Sequence, residues 1–151
     1  MLKAGIFGVG SYVPEKIVTN EDLSKIVETS DEWVRSRTGI AERRVADDKT
    51  ATSDLAIQAA ERALKDAKVS ASELDLIIVG TSSPDMLFPS TGCILQEALK
   101  ASCPAFDVSA ACSGFNFAIA TASSFIESKA YETILVVGAD TLTKYLNWQD
   151  R

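Results

Sequence analysis

Two short stretches, L-D-L-I-I-V-G-T at residues 74–81 and T-I-L-V-V-G-A-D at residues 133–140, are almost wholly apolar and each reaches a glycine as it turns polar. A strand with one face in water alternates polar and apolar side chains. Runs like these read instead as strands covered on both faces, as in a parallel sheet flanked by helices. The rest of the chain must therefore supply those helices.

Residues 53–67 supply the clearest one, with Leu55, Ala56, Ala59, Ala60, Ala63 and Leu64 at helical spacing and charged residues between them. A shorter helix is predicted over residues 21–27, behind an N-cap-like Thr19-Asn20, with Leu23, Ile26 and Val27 on one face. Pro89-Ser90 introduces another over residues 91–100, in which Ile94, Leu95 and Leu99 share a side and Cys93 is a packing residue. Residues 113–128 are small or apolar on nearly every side and carry no charge before Glu127, which predicts a helix buried in the middle of a protein. Further strands are predicted over residues 3–13, ended by Pro14, and over residues 104–110. Strand and helix alternate, so the fold class is α/β, layered, with a mostly parallel sheet. After Asp140 the chain runs T-L-T-K-Y-L-N-W-Q-D-R without a closing element. That ending suits either a small domain with a loose tail or the first part of something longer.

Composition narrows the function. At 151 residues and 46% hydrophobic, the chain has enough apolar material for the core of one ordinary domain. A net charge of −6 argues against general nucleic-acid binding. The apolar runs are too short to span a bilayer, and the first residues lack a long apolar signal segment, so a cytoplasmic location without membrane insertion is expected. Locally the charge reverses: R-S-R-T-G-I-A-E-R-R at residues 35–44 sets four arginines against one glutamate. That stretch is either a seat for a small anionic ligand or a solvated arginine-rich loop. Three cysteines without C-x-x-C spacing, and no histidine, leave no sensible zinc site and no disulfide framework. No metal is expected, and the thiols are expected to be reduced.

Cys112 sits in D-V-S-A-A-C-S-G-F, where a strand gives way to small residues that let the backbone turn sharply. A thiol at the start of the following helix would face unpaired N–H groups and the positive end of the dipole, which favour the thiolate. The arrangement is analogous to a strand-to-helix nucleophile elbow, without being a G-x-S-x-G match. On the residues alone, Cys112 is either a nucleophile or a small core residue, because no histidine is present to act as its base.

Taken together, G-V-G-S-Y-V-P-E, T-S-D-E-W-V-R-S-R-T-G-I-A-E-R-R, F-P-S-T-G-C, C-P-A-F-D-V-S-A-A-C-S-G-F, L-V-V-G-A-D and the final D-R resemble, in order, β-ketoacyl-acyl carrier protein synthase III. This family initiates type II fatty acid synthesis and belongs to the thiolase superfamily. The resemblance implies a thiolase-like fold, here its N-terminal half, with a buried central helix starting at the nucleophile. It implies that Cys112 is acylated by acetyl-CoA or a similar primer and is then relieved by condensation with malonyl-acyl carrier protein. Acetyl-CoA is a substrate in this scheme, and no cofactor is implied.

By the same resemblance, Trp33 and Arg151 sandwich the CoA adenine, Thr29 lies beside it, and Arg37 meets CoA phosphates. Phe88 would line the acyl pocket at a dimer-facing wall, although an ordinary loop anchor explains it equally well. The family also implies a homodimer. Its members are about twice this length, and the histidine and asparagine that work with the cysteine lie in their second half. Residues 1–151 are thus expected to be an incomplete half-domain, without the last strand and the C-terminal half, and not fully active alone. Two other readings fit the residues: a related CoA acyltransferase, such as a hydroxymethylglutaryl-CoA synthase or a starter-unit synthase, and a non-catalytic CoA-binding half that needs a second chain.

Overall fold

The computed structural model describes residues 3–150. In chain order the elements are β1 (Ile17–Thr19), α1 (Asn20–Ser24), α2 (Asp31–Thr38), β2 (Glu42–Arg44), α3 (Thr52–Ala67), β3 (Leu76–Gly80), α4 (Thr91–Leu99), β4 (Ala105–Val108), α5 (Gly114–Glu127) and β5 (Ile134–Gly138). They fall into two compact units, Met1–Tyr12 with Ala51–Asp140, and Val13–Thr50 with Thr141–Arg151.

The first unit is built on a parallel sheet in the order β4-β3-β5. Central β3 pairs Ile78 with Phe106 on one side and with Val136 on the other, and all five of its residues are buried. Its alternating side chains serve two cores. Ile77 and Val79 pack with Ala56, Ala60, Leu95, Leu135 and Val137, while Leu76 and Ile78 pack with Ala118 and Ala122 of α5. Each such Leu or Ile stabilises the fold by roughly 1.5–3 kcal/mol relative to leaving it exposed. This is why the run at residues 74–81 tolerates almost no polar side chain.

Helix α5 differs from expectation. Its composition predicts burial on every side, yet only Gly114, Ala118 and Ala122, spaced four apart, are buried. Phe115, Phe117 and Ile119 are exposed. The sheet accepts the stripe of small residues, and among the described residues nothing covers the opposite face.

The strand predicted over residues 3–13 is also absent among the described residues. Among the described residues no strand pairs with the segment. Its anchors are to α3 instead: the Val9 N–H donates to Asp66 Oδ2 at 3.0 Å, Arg62 donates to the Ser11 carbonyl at 2.8 Å, and the Arg62 guanidinium lies 4.9 Å over the Tyr12 ring.

The second unit holds β1 and β2, an antiparallel pair in the register Val18↔Arg43 that sequence patterning does not reveal. Thr19 caps α1 as predicted, in a capping box with Asp22. The helix stops at Ser24 rather than Val27, because the chain tightens and the Ile26 N–H donates three residues back to the Leu23 carbonyl. Residues 141–150 make hydrogen bonds of their own. They form a 3₁₀ turn at Leu142–Lys144, with Lys144 Nζ donating to the Asp48 carbonyl and Trp148 Nε1 to the Thr143 carbonyl. No helix among the described residues is long and apolar enough to cross a membrane.

Candidate active site

In the first unit, β4 ends at Val108 and α5 begins at Gly114, with a single 3₁₀ turn, Ala111–Ser113, between them. Cys112 is the middle residue of that turn and is exposed. The preceding Ala111 has φ 46°, left-handed backbone that an L-residue adopts at a cost of about 1–3 kcal/mol. The N-cap of α5, Ser113, makes no side-chain capping bond. Cys112 thus stands two residues before the first residue of α5, on the surface of the described chain. The other thiols are placed for packing. Cys103 is buried, which pushes its thiol up, and Cys93 is half-buried with its Sγ 3.7 Å from the Ala105 carbonyl.

Glycines at the strand ends let the elbow sit low on the sheet. A Cβ on Gly80 would stand 2.6 Å from the Gly114 carbonyl carbon and the Phe115 nitrogen, and one on Gly138 would meet the Phe115 side chain at 2.9 Å. Two carboxylates brace the ends of β4 and β5, and sequence reasoning missed both. Asp107 accepts from the Thr91 and Gly92 N–H groups at 2.8 and 2.7 Å, tying β4 to the start of α4. Asp140 accepts from the Ser82 N–H at 2.8 Å and the Ser83 hydroxyl at 2.9 Å, tying β5 to the loop after β3. Their signal was an acidic residue at the end of an otherwise apolar strand. Phe88, in the loop between β3 and α4, is 88% exposed beside exposed Leu87.

In the second unit, the stretch that composition leaves open as a loop contains α2. Ser30 caps it by accepting from the Trp33 N–H at 3.1 Å, and Gly39, at φ 72°, ends it in the left-handed conformation that glycine adopts without penalty. The Ser-Asp-Glu at residues 30–32 was the available signal. Trp33 and Arg37 stand one turn apart, with the Arg37 guanidinium 4.9 Å over the Trp33 ring, which is 38% exposed.

The four arginines divide. Arg35 Nε holds both oxygens of Asp31 at 2.8 and 2.7 Å, Arg43 donates to the Val18 carbonyl and Asn20 Oδ1, and Arg44 reaches the Pro14 and Glu15 carbonyls. Among the described residues, Arg37 is the member of the four whose guanidinium meets an aromatic face instead of an oxygen acceptor. The hydroxyl of Thr29 is buried without a hydrogen-bond partner, an unmade bond that a bound polar group would satisfy. Arg151 lies outside the described residues. No group of three or more His, Cys, Asp or Glu suited to a metal occurs among the described residues.

Known proteins define the class. The parallel sheet with its flanking helices is thiolase-like: a solved synthase III from Aquifex aeolicus VF5 superposes on the whole chain with a TM-score of 0.94 at 50% identity, using 48% of its own length. Within that class the chain matches the N-terminal portion of 3-oxoacyl-acyl carrier protein synthase III. The model of that family matches residues 106–151, the stretch that contains Cys112. β-Ketoacyl-acyl carrier protein synthase III of Caldanaerobacter subterraneus subsp. tengcongensis is 56% identical over 151 residues, and that of Xylella fastidiosa 57% over 149. These alignments cover 99% and 98% of this chain and 46% of each relative, so the chain spans about half the length of the curated relatives it matches.

Proposed function

We propose that this chain is the nucleophile-bearing part of a β-ketoacyl-acyl carrier protein synthase III. The observation that carries the proposal is the exposed Cys112 at the β4–α5 turn, in a chain matched end to end by relatives of that name. Cys112, as thiolate, adds to the thioester carbonyl of acetyl-CoA; the bond to the CoA sulfur breaks, and CoA leaves with the proton the cysteine gave up. Malonyl-acyl carrier protein then loses carbon dioxide. The electron pair left on its α-carbon attacks the acetyl-cysteine carbonyl, the bond to Cys112 breaks, and acetoacetyl-acyl carrier protein departs.

The CoA-facing residues in this scheme are Thr29, Trp33, Arg37 and Arg151. An aromatic face and planar guanidinium groups suit adenine, and a guanidinium suits phosphate. The pairing of Arg37 with Trp33 and the unmet hydroxyl of Thr29 support that role. Exposed Phe88 supports a place on an acyl-pocket or dimer wall. The working protein is a cytoplasmic homodimer that takes acyl-CoA and malonyl-acyl carrier protein as its partners.

The test is incubation with acetyl-CoA labelled in the acetyl group, followed by peptide mapping. Label on the peptide containing Cys112 is expected; label on Cys93 or Cys103 overturns the assignment. In the complete protein, condensation is expected with malonyl-acyl carrier protein, and use of malonyl-CoA or acetoacetyl-CoA in its place would refute the proposal.

A further inference from the structure

Helix α2 has little to hold it by apolar burial. It is eight residues long, Val34 is its one buried residue, and helices this short do not persist on their own in water. Its anchorage is polar and converges on Asn20, which is 0% exposed. Asn20 Nδ2 donates to Asp31 Oδ1 at 2.9 Å, at the first residue of α2, and to the Ile40 carbonyl at 2.8 Å, just past its end. Asn20 Oδ1 accepts from Arg43 at 2.7 Å. A guanidinium only donates, so this contact fixes which end of the amide is oxygen, and both amide hydrogens are then committed to α2. The Asp31 carboxyl is held below the usual carboxylate range by Asn20 first and Arg35 second. One buried side chain thus clamps both ends of the helix that displays Trp33 and Arg37.

We propose that Asn20 is a positioning residue for CoA recognition: by bridging Asp31 and Ile40 it sets the orientation in which α2 presents Trp33 and Arg37. The inference rests on the proposed CoA role of α2. Asn20 touches no substrate in this scheme. Asn20→Asp keeps the acceptor for Arg43, but it sets a carboxylate against Asp31 and removes the donor to Ile40. Adding Asp31→Asn restores a donor–acceptor pair between positions 20 and 31.

The experiment compares the full chain with Asn20→Asp and with Asn20→Asp/Asp31→Asn. It measures acylation of Cys112 by acetyl-CoA and by S-acetylpantetheine, which lacks the nucleotide, and the near-ultraviolet dichroism of Trp33 in a Trp148→Phe background. Asn20→Asp is expected to raise KM for acetyl-CoA about tenfold, to leave kcat and the pantetheine donor unchanged, and to alter the Trp33 signal, with the part of each effect due to repulsion between positions 20 and 31 reversed in the double variant. Equal loss with both donors would mark a merely structural role and overturn the proposal, as would no loss with either. If the unaltered chain itself does not distinguish the two donors, the CoA reading of α2 falls first. The Trp33 signal then decides whether Asn20 orients the helix, and an unchanged signal in Asn20→Asp overturns that claim separately.

Discussion

Gly80 at the end of β3 and Gly114 at the start of α5 meet backbone to backbone, so closely that a Cβ on Gly80 would lie 2.6 Å from the Gly114 carbonyl carbon. This contact seats the first turn of α5, and with it the Cys112 turn, against the sheet. Gly80→Ala must push the helix start away and is expected to cost about 1–3 kcal/mol, as overpacking does. Denaturant unfolding measures that cost. The rate of Cys112 alkylation should change with it, and an unaltered rate and midpoint would show that the helix start yields freely.

The three thiols should react in an order set by exposure and by thiolate formation. Iodoacetamide is expected to modify Cys112 first and Cys103 last, since Cys112 is exposed while Cys103 is buried with its thiol pushed up. Mass mapping at partial modification reads the order. Cys112→Ser should remove the fast phase and leave the slow ones.

Arg37 and Arg35 are neighbours on one helix with different duties. Arg37→Ala and Trp33→Ala should each raise KM for acetyl-CoA by a factor of about 5–10, as the loss of a stacked or cation–π contact of about 1 kcal/mol implies. For Arg37 the effect should shrink as salt is added. Arg35 is spent on Asp31 in a half-exposed, solvent-screened pair, so Arg35→Ala should change KM far less. Equal effects at the two arginines would mean that only bulk charge matters.

Acid should loosen the second unit through its capping carboxylates. Asp22 is lowered from 3.8 to about 2, first by the Thr19 hydroxyl, then by the Thr19 N–H and Lys25, and Asp31 is lowered by Asn20 and Arg35. A depressed folded-state pKa contributes stability that is complete above the unfolded value and lost as pH falls through the folded one. Melting followed between about pH 4 and pH 2 should therefore show a falling midpoint, and Asp22→Asn should flatten the fall. An identical slope in the variant would assign the acid sensitivity elsewhere.

Much of this architecture was legible because its signals are local. The apolar runs that became β3 and β5, the periodic residues that became α3 and α4, and the Thr19 cap each depend on neighbours within a few positions. The Cys112 segment was legible in the same way, as a strand running into small residues. The β1–β2 pair was not, since a three-residue strand such as Glu42–Arg44 carries too little pattern to show a period. Nor was the sorting of the arginines, because Arg43 finds Asn20 and Val18 from more than twenty residues away.

The α/β alternation, the thiol at a sharp turn and the family resemblance can all be read from contiguous residues. Which stripe of α5 meets the sheet, that of Gly114, Ala118 and Ala122, was settled by the fold. It also decided that residues 3–13 lean on α3 instead of joining a sheet, and that Asn20 clamps both ends of α2. These outcomes depend on which surfaces meet across long stretches of chain, and on whether each buried polar group finds its partner there. No local pattern encodes such pairings.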